Sequence, residues 1–231
     1  MMSLVPTPAR RGSRAPRTLA PRLLLPALAL ALVATGCGGS EAGDTPSEAA
    51  SSPAADLPTG GVEVPEGVTP TEAGTSLDLG ETATVAYEPN TTKASVLDLT
   101  VTKVQTGRIA DLAAFQLDAA TKRSTPYYVS VRVENVGTGD LGGAAVPLFA
   151  VDSEDSLVQP STFTSAFDRC PSTPLPDEFG EGEKTTGCLV YLVPDGGKLT
   201  AVSFRPLQTF EPITWEGKIQ PPTPVRKKPR R

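Results

Sequence analysis

Tyr127-Tyr128-Val129-Ser130-Val131-Arg132-Val133-Glu134 alternates along its length, and Asn135, Gly137, Gly139 and Asp140 then end it. Side chains of an extended chain point to opposite faces in turn, so Tyr127, Val129, Val131 and Val133 share one face and face a core. The same period recurs in residues 95–104, with Leu97, Leu99 and Val101 opposite Asp98, Thr100 and Thr102. Residues 187–193 are apolar on both faces, which predicts a central strand. Pro194-Asp195-Gly196-Gly197 then reads as a turn, with residues 199–205 returning as the hairpin partner. Shorter strands are predicted at residues 82–87, 147–151 and 213–215.

Only residues 108–115 read as a helical turn. Seven or eight short strands separated by glycine-rich turns predict an all-β, immunoglobulin-like antiparallel sandwich over residues 81–219. Trp215, the sole tryptophan, is expected to cap the sandwich edge. Asn90-Thr91-Thr92 is read as a turn.

The N-terminal third has a different character. Five arginines precede the apolar run 23–34, and Leu32-Val33-Ala34-Thr35-Gly36-Cys37 follows with Gly38-Gly39-Ser40. The apolar run is too short for a membrane span, which needs ~20 residues, and fits a cleaved export signal. The stretch ending at Cys37 resembles the lipobox of bacterial lipoproteins, although Ala34 stands where leucine is usual. The resemblance implies a signal peptide over residues 1–36 and a diacylglycerol-modified, palmitate-bearing Cys37 as mature N-terminus. It also implies a cell membrane location, lipid-anchored on the extracytoplasmic face. Arg10-Arg11 leaves both Sec and Tat export open.

Residues 38–80 hold eight acids and no lysine, arginine or aromatic residue. Such a composition buries too little apolar surface to offset chain entropy, so residues 37–80 are predicted to be a disordered acidic linker behind the anchor. Residues 220–231 form a proline-rich basic tail. In it Arg226, Lys227, Lys228, Arg230 and Arg231 make an anionic-surface docking candidate, for lipid headgroups or wall polymers, with a solvated end as the alternative. Removing the five signal arginines takes the formal charge from −5 to −10. A nucleic-acid partner is not expected, because export removes the opportunity and no basic face is apparent in the domain.

Cys170 and Cys188 remain once Cys37 is lipidated. An even pair outside the cytoplasm predicts a disulfide, which would staple the intervening loop to the strand at 187–193. Residues 128–137, ending Asn135-Val136-Gly137, resemble a strand of the immunoglobulin-like domains of bacterial secreted proteins and lipoproteins. Gly182-Glu183, Gly187 and the run Val190-Tyr191-Leu192-Val193-Pro194 resemble that family's later turn and strand. The resemblance implies a sandwich of the secreted-antigen type and supplies no catalytic residues.

Histidine is absent from the chain, which removes the usual base for serine or cysteine nucleophiles. No cofactor or metal is expected. Asp152, Glu154 and Asp155 cluster in one turn, and Asp177, Glu178, Glu181 and Glu183 in the stapled loop; both read as solvated turn acids. The expected function is a non-catalytic binding or scaffold module for a protein or cell-wall partner. Its predicted contact surface is the loop 167–186, with Phe179 and Glu181 as first candidates. A carboxylate-dependent hydrolase acting on wall glycan is the alternative.

Overall fold

The computed structural model of the protein describes residues 61–224. The expected export signal, Cys37, the expected linker up to residue 60 and the basic residues Arg226, Lys227, Lys228, Arg230 and Arg231 lie outside the described residues. Within them run nine strands: β1 (Ser76–Asp78), β2 (Thr82–Asn90), β3 (Lys93–Thr106), β4 (Thr125–Asn135), β5 (Phe149–Asp152), β6 (Leu157–Val158), β7 (Lys184–Val193), β8 (Leu199–Phe204) and β9 (Ile213–Glu216). They form two sheets, ordered β2-β3-β4-β7 and β1-β9-β8-β5-β6. Every named pairing is antiparallel except β1 with β9.

The alternating stretch lies in β4, flanked by β3 and β7. Tyr127, Val129, Val131 and Val133 enter the main core beside Leu97, Leu99 and Val101 of β3. Val202 and Phe204 of β8 and Ile213 of β9 reach the same core from the other sheet. Burial of one face from each sheet produces the all-β sandwich. The turn at Asn90 closes β2 onto β3, with its Oδ1 accepting the Thr92 N–H and hydroxyl at 2.9 and 2.8 Å. Residues Ile109–Leu112 form the predicted helical turn as one 3-10 turn.

Four expectations require correction. Residues 199–205 are not the hairpin partner of residues 187–193. Pro194–Gly196 forms a 3-10 turn and the chain crosses to the other sheet, where β8 pairs with β5 and β9. Nor is β7 central: it stands at the end of its sheet. It is apolar on both faces because each face is covered. Leu189, Tyr191 and Val193 join the main core, whereas Val190 and Leu192 meet a second apolar layer outside the sheet.

Trp215 is fully buried in the core rather than capping its edge, and its indole N–H donates to the Glu81 carbonyl at 3.0 Å. Finally, the described part of the expected linker lies on the domain. Thr71 bonds the edge of β2, Leu77 packs on the core, and residues 76–78 form β1. Leu77 and Leu79 provide apolar contact within an acidic segment, so overall composition hid a short edge strand.

Candidate binding site

The second layer outside β4 and β7 gathers Leu112, Tyr128, Phe167, Cys170 and Val190, with Phe115 and Phe163 packed against them. Ring centroids lie 4.8 Å apart for Phe115–Phe163, 5.3 Å for Phe163–Phe167 and 5.9 Å for Tyr128–Phe167. The Tyr128 hydroxyl donates to Asp111 Oδ2 at 3.1 Å, and Arg169 lies 3.8 Å from the other oxygen of that carboxylate. Burial and the Asp111 charge push the Tyr128 phenol well above its ordinary value.

The predicted disulfide joins Cys170 to Cys188, with the two Cα atoms 5.0 Å apart. It ties the aromatic layer to β7. Replacing both cysteines by serine is expected to lower stability by about 3 kcal/mol, the loop-closure value for such a bridge. Urea unfolding checks this: reductant should shift the wild-type midpoint and leave that of the double variant unmoved.

The loop 167–186 does not present its two candidate residues together. Phe179 is 1% exposed and belongs to the main core, so it is no contact residue. Its carbonyl accepts Asn135 Nδ2 at 2.7 Å, and its N–H donates to Asp140 Oδ1 at 3.0 Å. The N–H groups of Phe179 and Gly142 hold the Asp140 carboxyl below its usual range. Phe179 was expected on the contact surface, but its backbone bonds to Asn135 and Asp140 turn it into the core. Glu181 is exposed.

Asp152 Oδ1 accepts the N–H groups of Glu154 and Ser156 at 2.8 and 2.9 Å, so it builds its own turn. On the open half of the outer face of the four-stranded sheet, polar side chains pair with one another. Thr82 and Thr100 share a hydroxyl hydrogen bond of 2.7 Å, Thr84 donates to Asp98 at 2.5 Å, and Lys184 meets Glu134 at 2.8 Å. Among the described residues no group of three potential ligands could hold a metal ion.

A groove of about 590 Å³ lies elsewhere. The end of β2 contributes Tyr87, Glu88 and Pro89; β5 and the segment before it contribute Phe149 and Pro147. Pro160 follows β6, Ser172, Thr173 and Pro174 come from the stapled loop, and Arg205 and Pro206 follow β8. Five prolines thus line one cavity, and a proline lacks both a flexible φ and an N–H. The walls are therefore stiff and poor in donors.

Two of the polar wall side chains, Tyr87 and Ser172, are already engaged. The Tyr87 hydroxyl donates to the Ala145 carbonyl at 3.0 Å, and its burial raises its pKa. Ser172 Oγ donates to Ser161 O at 2.7 Å and accepts the Val190 N–H at 3.1 Å. Arg205 differs: Nη2 donates to the Gln208 carbonyl at 2.6 Å, while the buried Nε has no acceptor. Leu157 and Leu207, the two exposed large apolar residues among those described, are 41% and 55% exposed. Leu157 lies two residues before Gln159 of the groove wall, and Leu207 directly follows Pro206.

Sequence reading missed this groove because its residues come from six separated segments. Only the recurrence of proline next to strand ends hinted at it. Comparisons with protein-family models, curated proteins and solved structures found no match for the chain.

Proposed function

We propose that this chain is a lipid-anchored cell-surface lipoprotein whose immunoglobulin-like sandwich is a non-catalytic binding module for a protein or cell-wall partner. The observation that carries the binding reading is the proline-walled groove. A rigid groove loses little conformational entropy on occupation, so more of the contact energy appears as affinity. The Asn135 and Gly182-Glu183 motifs meet in space and exchange backbone hydrogen bonds of 2.8 and 2.9 Å, which supports the family resemblance. The lipobox-like sequence supports the anchor, since a diacylglyceryl group supplies the two chains that stable membrane attachment requires.

The hydrolase reading has less support, because Asp152 of the first acidic cluster is occupied by its own turn. Crosslinking on intact cells tests the binding reading. Wild type is expected in the membrane fraction, joined to one dominant partner through residues flanking the groove. Cys37→Ser should move the protein to the medium. An unmoved variant discards the anchor. Turnover of wall fragments that disappears when single acids are replaced would favour the hydrolase.

A further inference from the structure

The structure assigns the Cys170–Cys188 disulfide a second role, as a latch that keeps the free edge of β7 closed to strand pairing. Opened by a dithiol reductant, that edge pairs with β7 of a second copy of this chain. The inference is independent of the groove and goes beyond the binding-module reading.

β7 ends its sheet, with β4 on one side only. Along such a strand the backbone groups of alternate residues point away from the sheet, and an uncovered row of them is a template for another strand. In β7 that row includes Cys188 and Val190, and the stapled loop covers it. Ser161 N–H donates to Val190 O at 2.7 Å, and Ser172 N–H donates to Cys188 O at 2.9 Å. Ser172 Oγ accepts the Val190 N–H at 3.1 Å. The loop thus gives Val190 what a further strand would give it. Thr186 falls in the same row by the two-residue period and is exposed.

The cover is a poor strand, and the disulfide holds its weakest point. Pro160 and Pro171 stand beside the two contact residues and bring no N–H. Only Ser161 forms a β-bridge to β7. Ser172 is buried with φ at +53°, the left-handed region that a Cβ disfavours. Such a conformation persists only where its surroundings impose it. Cys170, two residues earlier, is bonded to Cys188, the residue whose carbonyl Ser172 caps. Phe163 and Phe167 pack in the outer layer, so release centres on Ser172 and does not require unfolding.

The partner follows from β7 itself. Two copies of one strand pair antiparallel about a two-fold axis, each offering the groups the other needs. β7 carries no proline and no charge except Lys184, so little in it blocks such pairing. In the opening step a thiolate of the dithiol attacks one sulfur and the Cys170–Cys188 bond breaks. The second thiol of the reductant then closes its own disulfide. Two electrons and two protons pass from the dithiol to the two cysteines.

The test uses the full chain carrying Cys37→Ser, so that Cys170 and Cys188 are its only cysteines, with dithiothreitol as reductant. In sedimentation the oxidised protein should be a monomer and the reduced protein a dimer. Cys170→Ser with Cys188→Ser should dimerise without reductant. At dilutions where the reduced protein is monomeric, the Val190 amide should exchange on the order of tenfold faster than in the oxidised form, the loss of about one hydrogen bond. In the dimer the Thr186 amide should gain protection. Thr186→Pro, which removes only an outward N–H, should keep the reduced protein monomeric. In the oxidised protein Ser172→Ala should speed Val190 exchange without dimerisation.

A reduced protein that stays monomeric, with Val190 as protected as before, would overturn the latch. A reduced dimer that leaves the Thr186 amide unprotected would place the contact elsewhere and overturn the β7 assignment. Loss of the near-ultraviolet circular dichroism on reduction would overturn the inference as well, because the edge would then open only by unfolding. Val190 exchange unmoved by Ser172→Ala would show that Ser172 does not close the edge. Each of these results leaves the binding-module reading standing.

Discussion

Trp215→Ala is expected to lower the stability of the domain by about 4 kcal/mol, within the range for removing a large buried aromatic side chain. Trp215 is the largest side chain with essentially no exposure, and it sits in β9 where both sheets contribute to the core. Truncation leaves a cavity that the flanking strands cannot close without giving up ladder hydrogen bonds. It also removes the donor to the Glu81 carbonyl, at the start of the chain's approach to β2. Total stability for such domains is about 5–15 kcal/mol, so the variant should be partly unfolded at modest temperature. Urea titration measures it. Trp215→Phe should recover more than half of the loss, because most of the volume returns. A midpoint for Trp215→Ala close to wild type would show that the indole does not hold the sheets together.

Asn135→Leu is the second large effect, expected at about 3 kcal/mol. Asn135 is fully buried where β4 ends, and its amide joins three parts of the chain. Oδ1 accepts the Ser95 hydroxyl at 2.7 Å and the Gly137 N–H at 3.1 Å. Nδ2 donates to the carbonyls of Gly139 and Phe179, both at 2.7 Å. Leucine has a similar volume and satisfies none of them. Some partners keep a second bond, as the Gly137 N–H does to Val96 O, which holds the cost below the sum of four lost contacts.

The glycines after Asn135 belong to the same device. A Cβ on Gly137 would meet Ser95, and one on Gly139 would meet the Ala94 carbonyl. Asn135→Asp offers a sharper check. The introduced carboxylate would face two carbonyl oxygens, so its folded-state pKa should rise above the unfolded value. Its destabilisation is therefore greatest at neutral pH and is relieved as pH falls through the raised pKa. Chemical unfolding at pH 7 and pH 4.5 reads this directly, and a pH-independent loss would mean the amide hydrogens are not what matters.

Much of this architecture was legible because period-two alternation is a local property. Residues 127–134 and 95–104 announced their strands and their inward faces, and both reach the core as expected. The disulfide was legible from cysteine parity together with the inferred export. What failed was neighbourhood. Residues 187–193 are as apolar as a central strand, but the second face is covered by Phe163, Phe167 and Leu112 from segments without a clear period. Phe179 shows the same limit from the other side: an isolated phenylalanine in a polar loop carries no local signal of burial, and only the return of its backbone to Asn135 and Asp140 places it inside.

The sequence by itself determined the strand segments, the faces they bury and the cysteine pair, because side-chain alternation and residue chemistry are set within a few positions. Only the tertiary structure decided that β8 leaves β7 for the other sheet, that residues 76–78 of an acidic segment close an edge, and that six distant segments make one groove. Those outcomes depend on which surfaces meet after the chain collapses, and contacts between residues tens of positions apart have no local pattern to reveal them.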